Sequence, residues 1–548
     1  MTIRVNTLRG RLLASLLIPA LASALTWQAL SASDQDPKKE ATPSAATLGY
    51  RGTASCDACH TDAHTYGTGG RDDRGDWIRG NEMATWSNDD IHSQAFELLK
   101  ESPITERMAK GLGKTKAQLL SDQACLNCHF PFSDNIRNSP TVSPIPEGVN
   151  CEACHGPAEK WIGPHSELDW RRKSPADKRS LGMRDMSDAT DQAELCLSCH
   201  VGQKSKSPFE NRFVTHEMYA AGHPPLPSVE VATFSNVLPH HWRYNDEKQA
   251  AFTAWFDQFK AKRQNDPRIT DAHDWQDKYW PTATKMGDRS RTKLAVLGSV
   301  VAIRKTMEWL GHESIEAETW PHLEYYDCQA CHHELRVSEK SWRQKRSSAT
   351  GKPGRPMLRR WPEIGIELAE AFAQSDAKGK QVPDVTADLH RLDQLFGAKP
   401  FGNPADITPV AHEVEQKCDG LLKILDGLSY GQADAVRLFK LLSQLAARDG
   451  RLLDYDSARQ VGWSLRIFWE DAAGQITSDS VKNDALKKQL EGIDRLVDLS
   501  LPGRKRTAEP RQQIGLPYSV VSNYDAEEFA RHLAAINSLL ADKQAASR

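Results

Sequence analysis

Ten of the 11 cysteines form five C-x-x-C pairs, and a histidine directly follows every pair. Pairs of thiols at this spacing can bind zinc, form a redox disulfide or attach a prosthetic group. A structural zinc ion takes four ligands and so uses two C-x-x-C pairs, which an odd number of pairs does not fit. Neither zinc binding nor a disulfide requires a histidine after each pair. The five motifs are Cys56/Cys59/His60, Cys125/Cys128/His129, Cys151/Cys154/His155, Cys196/Cys199/His200 and Cys328/Cys331/His332.

C-x-x-C-H is the attachment sequence of c-type haem. The two thiols add to the vinyl groups of the porphyrin, and the next residue is held against the iron, where imidazole is a good ligand. The sequence therefore predicts five covalently bound haems, with ten thioether cysteines and five proximal histidines. The remaining cysteine, Cys418, is predicted to be a small buried apolar residue.

A second axial ligand decides what each iron can do. Two imidazoles give a saturated iron suited to electron transfer, whereas an empty position admits a substrate. Candidates should lie close to a motif and to a glycine or proline that lets the chain bend. Met218 is an alternative thioether ligand, and no catalytic residue is predicted. The distal candidates are His92, His165, His223, His216, His241 and His333.

The N-terminus has the pattern of an export signal. Arg4, Arg9 and Arg11 precede an apolar run at 12–25, which contains the small-residue sequence "ASA". We therefore expect a signal peptide at 1–24 and a flexible tether at 25–50, the alternative being an uncleaved anchor. The mature protein is predicted to be periplasmic or otherwise exported, which agrees with haem attachment outside the cytoplasm.

The rest of the chain is predicted to be mostly α-helical, with little β structure. A multihaem cytochrome c domain is expected at 51–345, with a helical insertion at about 246–325, followed by a C-terminal helical bundle at 408–548. Between them, 346–407 is predicted to be a basic linker rich in proline and glycine. The basic segment at 343–360 is interpreted as a solvated loop, or as a partner of haem propionates or of an acidic redox protein.

Helical periodicity gives the expected helices. One is expected at 83–101, with Ser87 or Asn88 capping its second half. The others are expected at 246–263, 294–310, 421–428, 435–446, 457–471, 490–501 and 527–540.

The sequence resembles the multihaem cytochromes c that include the cytochrome c-554 type. The resemblance rests on "SCDACHTDAH", "TWSNDDIHSQAFELL", "GVNCEACHGPAEKWIGPH" and "THEMYAAGHPPLP", and it covers under half of the chain. It implies a mostly α fold with closely packed haem pairs and distal ligands at His92, His165 and His223. It also implies that the haem of the second motif lacks a protein distal ligand. The C-x-x-C-K motif of the related nitrite reductases is absent from the sequence.

These observations predict an exported pentahaem c-type cytochrome that transfers electrons. The alternative is a multihaem oxidoreductase that acts on a small nitrogen or sulfur compound at a five-coordinate haem. Redox proteins, such as other cytochromes or quinol oxidoreductases, are the expected partners, and peripheral membrane association is compatible with this role. The net charge of −3 gives no reason to expect nucleic acid.

Overall fold

A computed structural model describes most of the chain from residue 48 onward. The described residues do not include the segment expected to be a signal peptide, nearly all of the expected tether, the helix expected at 246–263 or His333. The described ranges are 48–61, 80–131, 147–167, 170, 173–205, 211–242, 290–313, 320–328, 331–332, 355–376, 379, 381–497 and 524–541.

The predicted mostly α fold is confirmed. In the part of the chain that the structure describes, β structure is limited to two isolated bridges, Gln203 with Arg212 and Tyr326 with Leu358. The N-terminal helices are α1 (Ala54–His60), α2 (Glu82–Asp89), α3 (Ala95–Glu101), α4 (Pro103–Gly111), α5 (Lys116–Leu119), α6 (Gln123–His129), α7 (Cys151–His155), α8 (Pro175–Ser180), α9 (Ala189–His200), α10 (His216–Ala221) and α11 (Val231–Val237).

The first four motifs share one local design. Each lies at the C-terminal end of a helix (α1, α6, α7 or α9) whose last residue is the motif histidine. Side-chain caps fix where three of these helices begin: Asp122, Asn150 and Asp188 accept hydrogen bonds from first-turn N–H groups of α6, α7 and α9. Local sequence therefore fixes where each motif histidine stands.

The helix expected at 83–101 is interrupted. A short 3₁₀ turn, Ile91–Gln94, separates α2 from α3, and His92 lies in this turn. Asp90, and neither Ser87 nor Asn88, is the cap, because its carboxylate accepts the backbone N–H of His92.

The second half of the chain is a bundle of long helices. The helices expected at 294–310 and in the C-terminal bundle are confirmed, although most extend beyond the expected segments. They are α12 (Ser290–Glu313), α13 (Glu363–Asp376), α14 (Val385–Ala398), α15 (Pro404–Asp426), α16 (Gln432–Ala447), α17 (Tyr455–Asp471), α18 (Ser480–Val497) and α19 (Ala526–Leu540).

The range predicted to be a linker, 346–407, contains two of these helices. The fully buried Ile366 and Phe372 give α13 an apolar face, and the Glu370 carboxylate accepts hydrogen bonds from Val385 N–H and Thr386 N–H at the start of α14. This burial outweighs the basic, proline-rich composition of the residues before α13. The bundle therefore begins well before residue 408.

Two arginines of the basic segment have acidic partners from other parts of the sequence. Arg360 pairs with Glu363 and Asp393, and Arg359 lies 3.7 Å from Asp456. No acid stands in 343–360, so the sequence could not show these pairs. They join the segment to the bundle.

A continuous apolar core joins the bundle to the motif-bearing part. Leu197 of α9 and Leu297 of α12 are both fully buried in it, together with residues of α13 to α19. Cys418 is also fully buried there, as predicted. Among the described residues, no helix combines the length and apolarity needed to cross a membrane.

Candidate haem sites

Each motif histidine lies opposite one histidine that belongs to no motif. We number the sites after their motifs, so that site 1 contains His60 and site 5 contains His332. The ring centres of the pairs are 6.3 Å apart for His60/His165, 6.5 Å for His129/His223, 6.3 Å for His155/His241, 6.4 Å for His92/His200 and 6.3 Å for His216/His332.

This separation fits two imidazoles bound on opposite sides of one metal ion. A metal–imidazole nitrogen bond is about 2 Å long, and the ring centre lies about 1 Å beyond the nitrogen, so two trans imidazoles have centres about 6 Å apart. The residues present therefore fit a haem at every site, with two motif cysteines in place for its attachment.

The sequence candidates are distributed over all five sites. His92, His165, His223, His216 and His241 each face a motif histidine. The sixth candidate, His333, lies outside the described residues.

Two other expectations differ from the structure. The imidazole of His223 lies opposite His129, so the second site has a facing histidine, contrary to what the resemblance implies. Met218 packs with Met108 and Leu119 in a small apolar cluster instead of facing a motif histidine.

Five of these imidazoles donate through Nδ1 to a fixed acceptor. His129, His165 and His223 donate to the backbone carbonyl oxygens of Ala95, Ile162 and Pro224. His60 and His92 donate instead to the carboxylates of Glu82 and Asp90. Because these acceptors carry no proton, the histidine proton lies on Nδ1, and Nε2 keeps its lone pair for a metal.

The environment of five of the ten imidazoles favours the neutral, metal-binding form. Burial lowers the pKa of His155 and of His200 to about 4. Burial also lowers the pKa of His129, His223 and His241. In an empty site these rings stay uncharged at neutral pH, and a neutral imidazole is the form that binds iron.

Two histidines respond differently because of their carboxylate partners. The hydrogen bond to Glu82 raises the pKa of His60. Burial by itself would lower the pKa of His92, but Asp90 outweighs it, and the pKa is raised. Neither carboxylate was predicted as part of a site, although an acidic residue two positions before His92 is a signal visible in the sequence.

The cysteines show which sites are neighbours. The thiols of Cys56 and Cys151 interact directly, which brings site 1 against site 3. Those of Cys128 and Cys199 do the same for sites 2 and 4. Burial, with a further contribution from the charge of Cys199 of site 4, raises the pKa of the Cys154 thiol of site 3. Sites 3 and 4 are therefore also close to each other.

Site 5 adjoins site 2 through α10. This helix begins with His216 of site 5, and His223 of site 2 follows its C-terminal end. Between them, the Tyr219 ring lies 6.0 Å from the His223 ring. Tyr219 also interacts electrostatically with Cys328 of site 5. The sites therefore lie in the spatial order 1, 3, 4, 2, 5.

A buried carboxylate inside the third motif holds sites 1 and 3 together. Glu152 is 1% exposed and accepts hydrogen bonds from the backbone N–H groups of Arg51, Gly52 and Ala158. The Glu147 carboxylate accepts two further hydrogen bonds, from the backbone N–H and the side-chain hydroxyl of Thr53, just before α1. The chain that leads into the first motif is thus tied to the helix of the third.

Replacing Glu152 with alanine should loosen this connection, because three buried N–H groups lose their acceptor. We expect a loss of about 3 kcal/mol in local stability and faster amide exchange at Arg51 and Gly52, measured by hydrogen–deuterium exchange mass spectrometry. Glu159→Ala is the matched control, because that exposed carboxylate accepts one hydrogen bond, from Gly49. Equal exchange rates in the two variants would contradict this role for Glu152.

Gly222 forms the turn between His216 of site 5 and His223 of site 2. It ends α10 with φ +118°, and its N–H bonds to the carbonyl oxygens of Met218 and Tyr219. An added Cβ would also lie 2.9 Å from Nε of Arg107.

We expect Gly222→Ala to destabilise the turn by about 1 kcal/mol and to lower the midpoint of thermal unfolding, followed through the haem absorbance. Gly397→Ala is the control, because a Cβ there would meet nothing within 4 Å inside α14. The control should be neutral or stabilising. A Gly222→Ala protein that unfolds at the temperature of the control would contradict the expectation.

The ring separation alone does not define a site. His312 of α12 and His412 of α15 have ring centres 6.3 Å apart, but neither follows a C-x-x-C pair. A Cβ added to Gly311 would lie 2.9 Å from the His412 ring, so main chain lies directly beside this imidazole. A porphyrin therefore has no space on this side of the His412 ring.

Comparisons with known proteins agree with the motifs. The family model for cytochrome c554 and c-prime matches residues 55–156. Cytochrome c-554 of Nitrosomonas europaea is 24% identical to this chain over 165 residues, which are 29% of this chain and 60% of that protein. No solved structure matches the chain. Over these residues the chain is similar to the cytochrome c-554 and c-prime family, and it spans 60% of the length of the curated relative.

Proposed function

We propose that this chain is an exported pentahaem c-type cytochrome that carries electrons between redox proteins. The observation that carries the proposal is the pairing of all five motif histidines with a second histidine at 6.3–6.5 Å. Haem supplies reversible one-electron chemistry of iron at each site when it is bound.

The ten motif cysteines would hold the macrocycles, and two histidines at each site would bind the iron. His60, His129, His155, His200 and His332 are the proposed proximal ligands. His165, His223, His241, His92 and His216 are their distal partners, in the same order. With both axial positions held by protein, small molecules are excluded from the iron.

The spatial order of the sites supports a continuous path. Cys56 beside Cys151, Cys154 near Cys199, and Cys199 beside Cys128 connect sites 1, 3, 4 and 2. Tyr219 extends the connection to site 5. The chain thus places the attachment points of neighbouring sites together, which is what electron transfer requires of it.

The two ends of this order are the places where the attachment cysteines are exposed. Cys59 of site 1 and Cys328 and Cys331 of site 5 are exposed, whereas the cysteines of sites 2, 3 and 4 are less exposed. Redox partners, such as other cytochromes or quinol oxidoreductases, are therefore proposed to meet the protein at site 1 and site 5. The arginine-rich N-terminal signal supports export.

An enzyme with an open iron would need a site without a facing histidine. In the described ranges, every motif histidine has such a partner, so no observation favours the oxidoreductase alternative.

The experiment is a count of haem and iron in the purified full-length protein. Haem absorbance in alkaline pyridine and intact mass should both give five haems per chain. Fewer than five, or zinc in place of iron, would contradict the proposal.

A further inference from the structure

The five sites differ in what stands behind their imidazoles. His60 of site 1 donates from Nδ1 to Oε2 of Glu82 at 2.9 Å. His92 of site 4 donates from Nδ1 to Oδ1 of Asp90 at 3.0 Å. At site 2, both imidazoles donate to backbone carbonyls, those of Ala95 and Pro224. Sites 1 and 4 therefore carry an anionic acceptor, and site 2 carries neutral ones.

Both carboxylates are held in place by a second contact. The other oxygen of Glu82, Oε1, accepts the N–H of Gly80 at 3.1 Å. Oδ1 of Asp90 also accepts the backbone N–H of His92 at 2.9 Å, and Asp90 is only 4% exposed. These contacts fix the carboxylates against the imidazoles, so the hydrogen bonds are built features of the segment 80–92.

A carboxylate behind a ligating imidazole makes that ligand a stronger electron donor. The hydrogen bond draws the Nδ1 proton toward the anion and gives the ring partial imidazolate character. A stronger donor with a negative charge nearby stabilises ferric iron over ferrous iron, so the reduction potential falls. A backbone carbonyl orients the ring with a much smaller effect, because it carries no net charge.

We infer that Glu82 and Asp90 set the haems of sites 1 and 4 to lower reduction potentials than the haem of site 2. This inference rests on the proposed function, because it requires haem iron at these sites. In the spatial order 1, 3, 4, 2, 5, the two lowered sites flank site 3. The carboxylates are positioning residues that act through His60 and His92.

The test is a redox titration followed by EPR on the full-length protein with all its haems. Imidazole planes near parallel give a resolved rhombic low-spin ferric signal, and planes near perpendicular give a signal with one very large g value. The ring planes of site 1 are 21° apart and those of site 4 are 88° apart, so the two haems belong to different signal classes.

Glu82→Gln keeps an acceptor for the imidazole and removes the charge. We expect one rhombic signal to shift to higher potential, with the other signals unmoved. Asp90→Asn should do the same for one large-g signal. Glu82→Asp should restore a potential closer to that of the unchanged protein. Glu97→Gln is the control, because this exposed carboxylate pairs with Lys100 and has no hydrogen bond or ion pair to a described histidine.

The outcomes separate the inference from the function on which it rests. If either variant keeps five low-spin haems and no potential rises, the role of that carboxylate is wrong while the proposed function stands. If Glu82→Gln loses a haem, Asp90→Asn still decides the inference. If the unchanged protein lacks low-spin haem altogether, the proposed function itself fails.

Discussion

Replacing His223 with alanine is expected to convert one haem of the five from low spin to high spin. The His223 ring lies 6.5 Å from that of His129, and its Nδ1 bonds to the carbonyl oxygen of Pro224, so Nε2 is directed to the metal position. Without this imidazole the iron of site 2 loses its sixth ligand. Carbon monoxide should then bind the reduced protein at about one fifth of its haem, measured as the change in Soret absorbance.

The matched control for this prediction is His312→Ala. His312 faces His412 at a similar ring separation, but no C-x-x-C pair precedes either residue. This variant should keep five low-spin haems and should not bind carbon monoxide. A His223→Ala protein whose haems all stay low spin and silent to carbon monoxide would show that His223 is not the distal ligand of site 2.

Replacing both Cys196 and Cys199 with alanine is expected to remove one haem and to destabilise the protein strongly. These cysteines lie near the C-terminal end of α9, whose Leu197 lies in the main core. Cys199 lies beside Cys128 of site 2. Loss of the macrocycle from the middle of the molecule leaves a large void next to this core. The expected result is an intact mass lower by one haem and a markedly lower unfolding temperature.

Two other cysteine variants provide controls. Cys418→Ala should keep all five haems, because Cys418 is buried in the bundle core and belongs to no motif. The double variant Cys328→Ala/Cys331→Ala should also lose one haem but with a smaller loss of stability, because both cysteines are exposed. Five haems in the Cys196/Cys199 variant would contradict the assignment of the fourth motif.

The sequence identified the motif residues because their signal is local. In the first four motifs, the thiol pair and the following histidine lie on one helix, and all five motifs can be read from five consecutive residues. The same holds for the bundle helices, where apolar periodicity over several turns predicts segments such as 457–471 within α17.

The pairing of the histidines could not be predicted in this way, because the partners are distant in sequence. His165 follows His155 by ten residues but faces His60, and His216 faces His332, which is more than a hundred residues away. Only the folded chain brings these rings together. Proximity in sequence therefore selected candidate ligands without assigning them to sites.

Two misjudged segments did carry usable signals. The apolar residues Ile364, Ile366, Leu368 and Phe372 mark α13 inside the range expected to be a linker, where basic and proline-rich composition hid them. Asp90 precedes His92 by two residues, the distance at which an aspartate carboxylate can accept the backbone N–H that begins a turn. In α13, burial of apolar side chains outweighs the basic composition nearby. At His92, a specific side-chain cap sets the turn.

The central claim is that every iron has two histidine ligands, and EPR of the oxidised full-length protein tests it most directly. The ring planes are 21° and 30° apart at sites 1 and 5 but 72° to 88° apart at sites 2, 3 and 4. These angles predict rhombic low-spin signals from two haems and large-g low-spin signals from three. A high-spin ferric signal from even one haem of the unchanged protein would contradict it.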